Sequence, residues 1–193
     1  MIGRGKHSRG YTLVEVMIVV AVVGIMSAAA LPLFQPEVAV QLKSFGQIVA
    51  SDLEYVRNLA VTNNTKYRVA FEPAQNRYYL EHSGTNAALN TLPDSIYHNS
   101  ANTATKQYTD LDELPQLGAG ANIAAVLAPA SPPTAATTIE FDSLGATTQP
   151  AETVIWLTSG AGEGQRFIAV RVNPVTGLAE LDEITATAPA AGS

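Results

Sequence analysis

The strongest constraint on this chain is an apolar run from Val16 to Phe34 with a single carboxylate, Glu15, just ahead of it. Its 19 residues span roughly 28 Å as helix, close to the hydrocarbon thickness of about 30 Å. An acidic residue in such a span costs roughly 2.5–3.5 kcal/mol on insertion scales, so Glu15 needs a partner. A basic head (Arg4, Lys6, Arg9) precedes it and ends in Gly10. Basic residues before the run and none soon after it predict a cytoplasmic head, with the rest of the chain periplasmic.

Two plainer readings stay open at this level. A secretory signal peptide cut after Ala28-Ala29-Ala30 fits the basic head and small residues. It fits Glu15 poorly, and it does not account for the helical pattern that continues past Pro32. A simple membrane anchor with no assembly role fits the length.

The order of basic head, Gly10, Tyr11-Thr12-Leu13-Val14-Glu15 and apolar run resembles the class III signal of type IV prepilins and type II secretion pseudopilins. The resemblance implies cleavage after Gly10 by a prepilin peptidase and N-methylation of the new amine on Tyr11, where the family more often has Phe. It also implies that Glu15 meets the terminal amine of a neighbouring subunit in a filament. A buried carboxylate is costly alone and tolerated when paired, so such pairing favours one axial register. Gly24 and Pro32 stand where many pilins carry Gly and Pro. Pro32 and Pro36 remove backbone donors, and a helix kink is expected there.

After the apolar run the heptad-like spacing continues. Val38, Leu42, Phe45, Val49, Leu53, Val56 and Ala60 recur at steps of three and four, which predicts an amphipathic helix. Asp52, Glu54, Arg57 and Asn58 fall beside or opposite that stripe. One helix from about Thr12 to Thr62 would measure near 75 Å. Asn63-Asn64 suits its end, because Asn tolerates left-handed geometry.

Alternation then predicts strands at Tyr67–Phe71 and Tyr78–Glu81, joined by a turn at Pro73–Asn76. Residues 83–137 are rich in Asn, Thr, Ala and Pro. They read as a long, partly irregular insertion with short strands near Ser95–Tyr97 and Ile123–Leu127. Strands return at Thr138–Phe141, Thr153–Leu157 and Arg166–Val172. A turn at Asn173–Gly177 leads to a last strand over Leu178–Leu181, and the tail after Ile184 reads as disordered.

This order, with Val56-Arg57-Asn58-Leu59-Ala60-Val61, Phe141-Asp142-Ser143-Leu144-Gly145 and a final Thr-Gly turn, is similar to the GspH/FimT group of minor pseudopilins. The resemblance implies an α+β, pilin-like fold: a long N-terminal helix, transmembrane in its first half and amphipathic in its second, packed on antiparallel β-sheets. The expected organisation is a leader at 1–10, a transmembrane assembly helix at 11–34 and an amphipathic helix at 35–63. A periplasmic β-rich domain follows at 64–184, with its variable insertion at 83–137 and a flexible tail at 185–193.

Composition narrows the chemistry. The chain has no cysteine, which excludes thiolate catalysis and sulfur-ligated zinc. Net charge is −6. All 17 acidic residues lie after Gly10, and loss of the head leaves 8 basic ones, so the mature chain is near −9. Direct nucleic-acid binding is not expected of such a surface. Ser159–Gly164 resembles a phosphate loop only in glycine content. It joins two predicted strands and opens no helix. Asp110-Leu111-Asp112-Glu113 clusters carboxylates, and a solvated acidic turn is favoured over a calcium loop. His82 and His98 lie near no Ser or Asp constellation. No catalytic residue, metal site or cofactor is expected.

The expected function is that of a minor pseudopilin, a non-enzymatic structural subunit of a type II secretion pseudopilus that supports protein export. Its expected partners are the prepilin peptidase, other pseudopilins or pilins, the inner-membrane assembly platform and membrane lipid. A minor pilin of a type IV pilus is the alternative within the class. A monomeric membrane-anchored binding module is the alternative outside it.

Overall fold

The computed structural model describes residues 12–30, 38–94, 99–114, 120–128 and 134–188. The chain divides into two compact units, Met1–Pro36 and Glu37–Ser193. In the first, helix α1 spans Leu13–Ala30. The Thr12 hydroxyl accepts a 3.2 Å hydrogen bond from the Glu15 amide, and the Thr12 carbonyl accepts one from the Val16 amide. Thr followed three residues later by Glu is the capping-box pattern of a helix start. Side chains from Leu13 to Met26 are exposed, so α1 buries no face there. Among the described residues no helix is by itself long and apolar enough to cross a membrane. The apolar run goes on in sequence to Phe34, past the end of α1.

Helix α2 spans Val38–Thr62. Residues 31–37, with Pro32 and Pro36, lie outside the described residues, and the single helix expected across them is not addressed. The predicted stripe is the buried face: Leu42, Phe45, Val49, Leu53, Val56 and Ala60 are shut away from solvent. Each large side chain so buried is worth roughly 1.5–3 kcal/mol. Gly46 lies on the same face. A Cβ there would come within 2.9 Å of Leu181 Cδ2, so the glycine lets the last strand approach the helix. The helix ends as a Schellman motif, with Asn64 left-handed at φ 48°. The Asn64 amide donates to Val61 O at 3.2 Å and the Thr65 amide to Ala60 O at 3.0 Å.

Among the described residues nine strands follow: β1 (Tyr67–Glu72), β2 (Arg77–His82), β3 (Gln107–Asp110), β4 (Ala121–Ala128), β5 (Thr134–Ala135), β6 (Thr138–Phe141), β7 (Thr153–Ser159), β8 (Arg166–Val172) and β9 (Ala179–Leu181). One sheet has the order β3-β2-β1-β6 and the other β5-β4-β7-β8-β9. Every pairing is antiparallel. The helix packs on strands of both sheets, and their inward residues share one core with it, among them Val69, Phe71, Ile139, Phe141, Ile155, Leu157, Ile168 and Val170. The fold is α+β, as expected.

Asn76 joins the two sheets. It follows the 3-10 turn Pro73–Gln75 at φ 51°, between β1 and β2. Its Nδ2 donates to Ala121 O at 2.7 Å and its Oδ1 accepts from the Ile123 amide at 3.0 Å, both on β4. Nδ2 also reaches Asp112 Oδ1 at 2.9 Å.

Three sequence expectations change. The stretch 83–137 contributes β3, which the alternation did not reveal: its burial is weak, and only Thr109 of its four residues is buried. The acidic turn after β3 is not simply solvated, because Leu111 within it is fully buried. The tail boundary shifts too, since Thr185 exchanges backbone hydrogen bonds with Phe167 at 2.8 and 2.9 Å. Predicted strand 95–97 and residues 189–193 lie outside the described residues.

Candidate functional site

Two features of the second unit bring polar chemistry together. The first lies at the C-terminal end of α2. Asp142 Oδ1 accepts from the Leu144 and Ala146 amides at 2.8 and 3.0 Å, which folds loop 142–146 into a turn. Asn173 Oδ1 does the same for the Val175 and Thr176 amides at 2.9 and 3.1 Å. Arg57 stands between them: its Nε donates to Thr176 O at 2.7 Å and to Gly145 O at 3.3 Å. The Thr147 amide donates to Pro174 O at 2.9 Å, so the two loops also hold each other. The backbones approach closely at Gly177, where φ is +66° and a Cβ would fall 2.0 Å from Gly145 O.

The second feature is a cleft of about 500 Å³ between α2 and strands β1, β2 and β3. Asp52, Tyr55, Tyr78, Leu80, Asp94 and Thr109 are among its lining residues. Asp52 Oδ2 accepts a 2.7 Å hydrogen bond from the Tyr78 hydroxyl and a 3.0 Å bond from the Thr109 hydroxyl. Burial pushes the Asp52 carboxyl above its ordinary range, and the two hydroxyl donors partly oppose that shift. The sequence reading set Asp52 beside or opposite the apolar stripe without a role. It lies three residues after Val49 and four before Val56, both in the stripe. That spacing was the available signal for a carboxylate at the edge of the core.

The other sequence candidates resolve into structural roles. His82 packs edge-on to Tyr67 with ring centroids 5.0 Å apart. Its Nε2 lies 3.0 Å from Thr65 Oγ1 and its Nδ1 2.7 Å from Asn90 Oδ1. Asp110 Oδ1 accepts from the Asp112 amide at 2.9 Å within the turn, whereas Glu113 Oε2 accepts from Asn99 Nδ2 at 3.2 Å and ties the turn to the segment ahead of β3. Among the described residues no group of three His, Asp or Glu side chains is placed to hold a metal ion. Residues 160–165 connect β7 to β8 through a 3-10 turn at Gly162–Gly164.

Of the assembly residues, Glu15 lies exposed in the first turn of α1, and Gly24 lies within that helix with open space around the Cβ position. Gly10, Tyr11, Pro32 and His98 lie outside the described residues.

Two protein families match the sequence. Residues 5–31 match the prokaryotic N-terminal methylation motif. Residues 47–177, from mid-α2 to the Gly177 turn, match the type II transport protein GspH. The chain belongs to the GspH family. Its role is therefore that of a pilin-like structural subunit, a minor pseudopilin or minor pilin. No curated protein matches the chain.

Among solved structures it is similar to the minor pseudopilin EpsH from the type 2 secretion system of Vibrio cholerae. The identity is 15%, over 74% of this chain and 97% of that one, with a TM-score of 0.48. It is also similar to the type IV minor pilin FimU of Pseudomonas aeruginosa, at 16% identity over 76% of this chain and 98% of that one, with a TM-score of 0.46.

Proposed function

We propose that this GspH-family chain is a minor pseudopilin of a type II secretion pseudopilus. The observation that carries this reading is the pairing, on one chain, of the methylation motif at 5–31 with the GspH domain at 47–177. In this reading the prepilin is held in the inner membrane by residues 11–34, with its globular unit in the periplasm. The peptidase cuts after Gly10 and the amine of Tyr11 is methylated. The assembly platform then draws the helix into a bundle of like helices, where apolar side chains leave lipid for one another. Glu15, exposed here at the start of α1, pairs with a neighbour's terminal amine and sets the register.

The surface supports export over nucleic-acid capture. The mature chain is strongly acidic, and cations on the outer face of the β3-β2-β1-β6 sheet already have carboxylate partners. Lys66 pairs with Glu140 at 3.1 Å, Arg77 with Glu72 at 2.6 Å, and Arg68 with Glu81. Such residues are not free to displace phosphate counterions.

The deciding test is the intact mass of the protein extracted from membranes of its native host, with Glu15→Ala beside the wild type. The expected chain begins at a methylated Tyr11, and the variant is processed and inserted but poorly incorporated into filaments. A chain beginning at Leu31, or an uncut chain, would end the assembly reading.

A further inference from the structure

The cleft between α2 and strands β1, β2 and β3 has no part in the assembly reading. At about 500 Å³ it falls within the range of small-molecule pockets, roughly 300–1,000 Å³. Steps of three and four along α2 bring Asp52, Tyr55 and Val56 to it, and steps of two bring Tyr78 with Leu80 and Gln107 with Thr109. Its floor is apolar: Val56, Val69 and Leu80 line it and are buried. Tyr55 and Tyr78 add two aromatic rings, and Asp52, Glu54 and Asp94 add three carboxylates. No lysine, arginine or histidine is among its described lining residues.

Those carboxylates are unmatched. Among the described residues none of the three is in an ion pair. The Tyr78 and Thr109 hydroxyls both donate to Asp52 Oδ2, and Oδ1 has no hydrogen-bond partner among the described residues. Lys106 adjoins the lining residue Gln107 but is engaged on the other face of the sheet. Its ammonium lies 4.0 Å from the centroid of the Tyr79 ring and 3.7 Å from Glu81. Burial raises the Asp52 carboxyl above its ordinary range, and a cation beside it would offset that cost and displace the proton.

A metal ion does not match this arrangement. Among the described residues no three carboxylate or imidazole side chains converge closely enough to hold one. Carboxylates that surround a space without converging suit a cation with a body. An apolar stem can lie on the floor and against the rings while its charged end reaches an oxygen. We infer that this cleft binds an alkylammonium cation, with Asp52 Oδ1 as its acceptor, Glu54 and Asp94 as outer charges, and Val56, Val69 and Leu80 under its stem. It would do so whether or not the chain assembles into a filament. A free alkyl diamine and a lysine side chain of a polypeptide share this chemistry.

The test is calorimetric titration of the full-length chain, in a neutral maltoside detergent, with cadaverine, with Nα-acetyl-lysine methylamide and with calcium chloride. Expected is saturable binding of at least one amine, and none of calcium or of diacetylated cadaverine, which keeps the stem and loses the charge. Asp52→Asn, whose side-chain oxygen can still accept from Tyr78 and Thr109, weakens amine binding roughly tenfold. Asp94→Asn, at an exposed position, weakens it less, and Glu163→Gln, in the β7–β8 loop, leaves it unchanged. Tighter binding of cadaverine assigns the site to a free diamine, and tighter binding of the lysine derivative to a polypeptide; either supports it. No saturable uptake of either amine, equal affinity in Asp52→Asn, equal weakening by Glu163→Gln, or comparable binding of calcium or the diacetylated diamine would overturn it.

Discussion

The Tyr78 hydroxyl, on β2, donates a 2.7 Å hydrogen bond to the carboxylate of Asp52, on α2. The bond crosses the interface between the helix and the β3-β2-β1-β6 sheet, where the helix is not sealed by apolar contact alone. A partly buried carboxylate is costly to ionise there, and its two hydroxyl donors are what make ionisation tolerable.

Stability should therefore depend on pH through Asp52. Its folded-state pKa is raised by burial above the carboxyl's ordinary value of 3.8. Its favourable contribution is complete below that value and is lost as pH rises through the folded pKa. Asp52→Asn carries no such dependence. Unfolding of the detergent-solubilised chain should show the variant gaining on the wild type as pH climbs from about 4, then levelling once Asp52 is ionised. Parallel curves would contradict this account. Tyr78→Phe should cost about 1.5–3 kcal/mol at neutral pH, where the carboxylate loses a donor.

Gly177→Ala should be severe for its size. A side chain at φ +66° is strained by roughly 1–2 kcal/mol. Here the new methyl also meets the Gly145 carbonyl, which is backbone and cannot swing aside. The expected loss exceeds 2 kcal/mol. Amide exchange should speed up in loops 142–147 and 173–178 and stay slow in β7. Uniform loss of protection across β7 and β8 would mean that the loops are not separately held.

Asn76 offers a graded series. Asn76→Gly keeps the left-handed backbone and removes the side-chain bonds to β4, at a cost of about 1–3 kcal/mol. Asn76→Ala removes the same bonds and adds backbone strain, so it should be worse by roughly 1 kcal/mol. Thermal melts of the two variants give the order directly. Equal melting temperatures would show that conformation contributes nothing at this turn.

Periodicity made most of the fold legible. The α2 stripe, β1, β2, β6, β7 and β8 all carry strong apolar spacing, and Asn64 and Asn173 carry turn chemistry with a physical cause. What stayed hidden were features built by distant parts of the chain. β3 owes its place to pairing with β2, from Arg77↔Asp110 to Leu80↔Gln107, and not to its own pattern. Asn76 read as one turn residue among several, because its partners on β4 lie 45 and 47 positions away. Arg57 read only as a residue beside or opposite the apolar stripe, while the carbonyls it holds arrive 88 and 119 positions later. The leader motif was plain for the opposite reason: Gly10, Tyr11 and Glu15 are neighbours in sequence, and their chemistry is local.

The pairing of β1 with β6 sets a timetable for the subunit. Tyr67 faces Phe141 and Val69 faces Ile139 across a stretch that includes β2 to β5, whereas β7, β8 and β9 pair in order through short turns. Non-local pairings form late. Until Thr138–Phe141 has been made and has paired, the second edge of β1 presents an open row of amides and carbonyls to any strand nearby. A chain paused partway through synthesis is therefore adhesive towards its own kind before its fold is complete. Arrival of its C-terminal third converts that hazard into a finished subunit.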